Sequence, residues 1–136
     1  MYKHKVQYYE TDMMGITHHS NYIRWMEEAR TEYLDNLGWP YARMEQEGLI
    51  SPTTHVECDY KKTCTYEDEI CIEPSIYEFK GVKIKFKYVM TKESDGSIVC
   101  IGKSEHCFID KDGRPIAIKK VRPDLYDVII QNVVSE

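Results

Sequence analysis

The chain has 136 residues, a net charge of −5 and 30% charged residues. That length suits one domain over 1–136 with a core that needs no disulfide or metal, and the acidic balance argues against nucleic acid or an anionic membrane surface as partner. No apolar run reaches the length of a membrane span, and Met1-Tyr2-Lys3-His4-Lys5 leads into alternation instead of a signal-peptide core. The five cysteines form no Cys-x-x-Cys pair, which fits reduced thiols in a cytoplasmic protein.

In chain order, Lys3 to Tyr9 reads as a short strand, with Val6 and Tyr8 spaced by two. A loop follows, in which Gly15 permits a sharp reversal after Asp12-Met13-Met14, and His18, His19, Ser20 and Asn21 precede a helix starting near Tyr22. That helix carries Tyr22, Met26, Ala29, Tyr33 and Leu37 as an apolar stripe, with Ile23, Arg30 and Leu34 beside it, and Gly38 and Pro40 stop it. Arg24 four residues before Glu28 and Arg30 three after Glu27 suggest a solvated, salt-bridged face. Tyr41 to Glu47 has room for a further helical turn or two.

The period then changes to two. His55 to Tyr60 places Val56, Cys58 and Tyr60 on one face, and Ile70 to Phe79 is a longer strand in which Pro74 calls for an edge position or a bulge. Val82 to Met90 alternates cleanly, apolar at even positions with lysines at 83, 85 and 87. Asp95-Gly96 turns the chain into a partner strand, Ile98 to Ile109, and Pro123 opens a short terminal helix with Leu125, Val128 and Ile129 inward. The fold class is α+β, one main helix on an antiparallel sheet of about five strands.

Function concentrates between Tyr8 and Pro40. The loop delivers the Asp12 carboxylate to a helix mouth, where the first amides lack intrahelical acceptors and the dipole favours an oxyanion. A carboxylate beside amide donors is a minimal acyl-transfer site. The adjacent histidines 18 and 19 point different ways and lack a His-x-x-x-His or Glu-x-x-His partner, so no metal site is expected. His55 and His106 read as structural, and no cysteine has a local base.

The run Tyr-Glu-Thr-Asp12-x-x-Gly15-x-x-x-His19-x-Asn21-Tyr22, followed by Trp25-Met26-Glu27-Glu28-Ala29-Arg30, resembles the signature of hotdog-fold thioesterases of the 4-hydroxybenzoyl-CoA thioesterase-like group. The resemblance implies a hotdog fold, one long central helix wrapped by the sheet, and hydrolysis of a coenzyme A thioester without metal or cofactor. It also implies a homo-oligomer, a dimer built by pairing sheet edges or a tetramer above it. Asp12 is then the catalytic general base or nucleophile, and His19 supplies the oxyanion donor from its backbone N–H. Met13, Met14, Gly15, Ile16, His18, Asn21 and Tyr22 surround the substrate, with Met13, Met14, Ile16 and Tyr22 lining an acyl tunnel. Close relatives often carry an aromatic residue at the position of His18 and small residues or proline at Met13 and Met14, so the acyl pocket here differs.

Glu27 and Glu28 are alternative helix-borne carboxylates. Lys83, Lys85 and Lys87, or Lys61-Lys62, are candidates to meet coenzyme A phosphates. The same ladder would be the docking patch if the substrate were instead an acyl group on acyl carrier protein, an acidic partner. A non-catalytic module that binds acyl thioesters or a protein is the alternative from another class, whereas a hotdog dehydratase lacks its usual histidine-and-glycine helix pattern here.

Overall fold

The computed structural model describes residues 1–134. Five strands form one antiparallel sheet: β1 (Tyr2–Lys5), β2 (Thr53–Tyr60), β3 (Glu69–Phe79), β4 (Lys83–Lys92) and β5 (Ile98–Cys107), in the order β1-β3-β4-β5-β2. The helix α1 (Ser20–Asn36) lies on this sheet, reaching β1, β2, β3 and β5. Three shorter helices, α2 (Tyr41–Gln46), α3 (Ile118–Val121) and α4 (Pro123–Gln131), complete the described chain. The architecture is the expected α+β one with one long main helix, and the short helix α3 joins the foreseen turns at Tyr41–Gln46 and the terminal helix, so the described residues hold four helices in all.

The sheet follows its hydrophobic pattern. β4 buries Ile84, Phe86, Tyr88 and Met90 and turns its odd-numbered lysines outward, because successive side chains alternate across a strand. In β3 the buried set Ile70, Ile72 and Ile76 changes phase before Phe79, and the register shift between Ile76 and Glu78 is the cause. Pro74 pairs with Tyr88 on β4, whereas β1 pairs only as far as Ile72, so the missing amide faces the side that β1 no longer covers. Facing these strands, α1 buries Tyr22, Trp25, Met26, Ala29 and Leu34.

Several details depart from the sequence reading. The first strand ends at Lys5, and Tyr8–Glu10 winds into a 3-10 turn that buries Glu10. The helix begins at Ser20, two residues early, because the Asn21 side chain does not cap it but donates to the carbonyls of Glu10 (2.9 Å) and His18 (3.2 Å). Among the described residues the foreseen salt bridges of α1 do not form: Glu28 accepts from Tyr2 (2.5 Å) and lies 3.4 Å from His4 Nδ1, and Arg30 turns inward. The edge strand β2 is largely exposed on both faces.

Candidate active site

The loop between the 3-10 turn and α1 is held at its base by Glu10. Its carboxylate accepts hydrogen bonds from the Gln7 amide, from His4 Nε2 and from the Trp25 indole, all at 2.8 Å, and its carbonyl accepts from the His18 amide at 2.8 Å. Burial alone would push the Glu10 carboxyl upward, but those donors outweigh it and hold it below the usual carboxylate range. Sequence reasoning passed over Glu10 and His4. The available signal was a glutamate three residues after Gln7, the spacing of a capping box, which the structure forms.

From this base the loop runs out as a tight reversal. The Asp12 amide donates to the Ile16 carbonyl and the Gly15 amide to the Asp12 carbonyl, both at 2.9 Å, with Gly15 at φ +78°. A side chain at that φ would be strained, although nothing stands within 4 Å to obstruct it. One oxygen of the Asp12 carboxylate accepts from the Met14 amide at 2.8 Å. No other protein donor reaches the Asp12 side chain among the described residues.

Asp12 borders a cavity of about 290 Å³ lined also by Met14, Ile16, Thr17, His19, Tyr22, Tyr60, Lys61, Lys62 and Thr63. His19 occupies the N-cap position of α1, and its amide donates to no protein acceptor among the described residues. Tyr60 donates through its hydroxyl to the His19 carbonyl at 3.2 Å and packs edge-on against Tyr22, with ring centroids 5.1 Å apart. The Tyr60 phenol is pushed up to about 12, by burial first and then by the neighbouring Cys58. The Tyr22 phenol, shut away with Cys64 (3.1 Å), is raised too, again chiefly by burial.

The proposed substrate-contacting residues therefore divide. Asp12, Met14, Ile16, His19 and Tyr22 share the cavity wall, while Met13 stands fully exposed outside it and Gly15 serves the turn. His18 accepts from the Ser20 amide, and its ring stacks on that of His19 with centroids 4.2 Å apart, so the two histidines do not diverge as expected. Asn21 is buried behind the loop as a strut. Tyr60, Lys61, Lys62 and Thr63 enter the wall from the end of β2, about forty residues on in sequence. Local motif reading saw Tyr60 only as a strand end and offered Lys61-Lys62 for the phosphates of coenzyme A without placing them beside Asp12.

No group of three or more metal-ligating side chains is clustered among the described residues. No described helix is long and apolar enough to cross a membrane. Lys85 pairs with Glu78 (3.1 Å) and Lys83 with Glu105 (3.9 Å), so two members of the lysine ladder are partly neutralised; all three lie away from the cavity. Contact with Cys100 lowers the Cys58 thiol to about 7, while Cys100 itself is raised.

Comparison with known proteins decides the family. Residues 6–129 match the family profile described as the thioesterase-like superfamily. The chain belongs to that superfamily. A Staphylococcus aureus DHNA-CoA thioesterase superposes with a TM-score of 0.90 at 31% identity, covering 96% of this chain and 87% of that one. A hypothetical protein from Aquifex aeolicus gives a TM-score of 0.85 at 35% identity, covering 94% and 97%. A Bacillus subtilis protein named "Putative acyl-CoA thioesterase YneP" is 35% identical over 121 residues, 88% of this chain and 87% of the relative. These likenesses establish the hotdog fold and place this thioesterase-like chain among thioester hydrolases.

Proposed function

We propose that this chain hydrolyses acyl-CoA thioesters to the free acid and coenzyme A, with Asp12 as the catalytic carboxylate and the His19 amide as oxyanion donor. One observation carries the reading. A carboxylate held by a single amide and an unpartnered amide at the mouth of α1 belong to residues on the wall of the same cavity. The thioester carbonyl enters with its oxygen toward the helix mouth, where the amide and the dipole favour developing negative charge. Asp12 then takes a proton from water as that water adds to the carbonyl carbon, or adds to that carbon itself to give a mixed anhydride that water opens. Either way the carbon–sulfur bond breaks and the thiolate of coenzyme A leaves.

Lys61 and Lys62, exposed beside Asp12 on the cavity wall, supply positive charge where the phosphates of coenzyme A approach. An acyl carrier protein would instead need the β4 ladder, whose Lys83 and Lys85 already pair with acids, so coenzyme A is the better match. We further propose that β2, exposed on both faces at the sheet edge, pairs with β2 of a second copy to form a dimer, on which a tetramer can be built. Five free cysteines suit a reducing cytoplasm.

The test is thiol release from a panel of CoA thioesters, acetyl to palmitoyl and benzoyl to hydroxybenzoyl, by the wild-type chain. Turnover of at least one class supports the reading, and binding without turnover would replace it with a binding module. Light scattering at micromolar concentration checks the dimer, and a monomer would contradict the edge pairing.

A further inference from the structure

Arg30 lies in the middle of α1 and is only 9% exposed. Its Nε donates to the Tyr41 hydroxyl (2.9 Å) and its Nη1 to the Tyr88 hydroxyl (3.1 Å). Beyond it, hydrogen bonds join Tyr88 with Ser104 (2.8 Å), Ser104 with His106 Nε2 (2.7 Å), and His106 Nδ1 with Thr53 (3.2 Å). Every partner along this path is neutral. Burial first, and then the Arg30 charge, lower the His106 imidazole to about 3. Among the described residues no carboxylate forms an ion pair with Arg30, and its Nη2 has no protein acceptor. A buried cation without an anion is costly.

The guanidinium borders a cavity of about 200 Å³ whose other walls are Ile23, Met26, Glu27, Thr53, Val56 and Ser104. Ile23 and Val56 are exposed, although both are apolar. Ile23, Met26 and Val56 beside a cation without an ion pair match an apolar chain that ends in an anion. Like the first, this cavity is bounded by residues of α1 and β2. Tyr22 of α1 and Tyr60 of β2 bound the Asp12 cavity, Ile23, Arg30 and Val56 bound this one, and Met26 and Cys58 touch between them, sulfur to sulfur at 3.7 Å. Arg30 is eleven residues beyond His19 on the helix, about 16 Å at 1.5 Å per residue, and side chains on a helix lean back toward its N-terminus.

We propose that the cleft between α1 and β2 selects acyl chains of medium length carrying a terminal carboxylate, which Arg30 binds while the thioester lies at Asp12. The assignment rests on the acyl-CoA reading above and names its substrate class. Glu27, exposed at the rim of the cavity, opposes an anionic guest and tempers the preference.

Equilibrium binding to the Asp12→Asn chain tests this without interference from turnover. Suberoyl-CoA and octanoyl-CoA have the same chain length and differ only in a terminal carboxylate against a methyl group. Suberoyl-CoA is expected to bind at least tenfold more tightly, Arg30→Gln to erase that difference, and Glu27→Gln to widen it severalfold. Equal affinities, or failure of both thioesters to bind, overturn the proposal, and comparing two ligands on one chain needs no Arg30 variant to fold. It is equally overturned if Arg30→Gln dissociates a dimer and leaves the preference intact, because the cation then serves the subunit contact. Octanoyl-CoA turnover by the wild-type chain judges the catalytic reading separately: equal binding with turnover removes only the carboxylate assignment, and preferential binding without turnover removes only the catalysis.

Discussion

Glu10 and Asp12 are two residues apart, yet the base and the tip of their loop are built on opposite principles. At the base, the Glu10 carboxylate is buried and accepts from Gln7, His4 and Trp25. At the tip, the Asp12 carboxylate is partly exposed and accepts only from the Met14 amide. A carboxylate surrounded by donors is fixed, and its charge is spent on holding structure. One with unused lone pairs beside a cavity can accept a proton or approach a carbonyl carbon.

Breaking the base should have the largest effect on folding. Glu10→Ala leaves the Trp25 indole and the Gln7 amide without their acceptor and His4 without its partner. It is expected to reduce stability by about 3–5 kcal/mol, the scale of removing one partner from a buried charged pair. Urea denaturation measures this, and a loss below about 1 kcal/mol would show that the loop has another anchor.

Acid should act next. The His106 imidazole is lowered from its ordinary value of 6.5 to about 3, so the folded chain holds it neutral. The unfolded chain therefore binds the proton more readily. Its contribution is complete above pH 6.5 and declines as pH falls from 6.5 toward 3, by about 2 kcal/mol at pH 5, taking 1.36 kcal/mol per pH unit. Glu10, whose folded value lies below the usual 4.5, adds a loss of the same sign at still lower pH. Unfolding midpoints at pH 7 and pH 5, together with the ring-proton resonance of His106, check this; an imidazole that titrates near 6 in the folded chain would contradict it.

The tip itself should tolerate change, as far as folding is concerned. Gly15→Ala meets no atom but keeps φ +78°, so a loss of about 1 kcal/mol is expected from backbone strain alone. Met13 stands in solvent, and Met13→Ala should shift stability by less than about 0.5 kcal/mol. Thermal melts of the two variants separate these values. A larger change for Met13 would mean that its side chain is covered in the assembled protein.

The same contrast explains what the sequence could disclose. β4 and the Asp95-Gly96 turn were legible because alternation and a glycine at positive φ are local properties. So was the approach of Asp12 to His19, since both lie within one short loop. Arg30 was read as part of a solvated face because charge at helical spacing usually means exposure. Only the positions of Tyr41 and Tyr88, eleven and fifty-eight residues away, turn it inward. Glu10 was missed for a similar reason: its role depends on His4 and Trp25 meeting across a strand, a turn and a helix. Tyr60 to Thr63 reach the cavity only once β2 takes its place at the edge of the sheet.

The central claim is that the Asp12 carboxylate carries the reaction without carrying the fold, and one measurement addresses both halves. Turnover of the best CoA thioester and the urea midpoint are determined for the wild-type chain and for Asp12→Asn. The account predicts a fall in kcat of roughly a hundredfold or more with a nearly unchanged midpoint, as expected on removing a general base or nucleophile. An Asp12→Asn chain that hydrolyses as fast as the wild type would make Asp12 a turn residue and contradict the account.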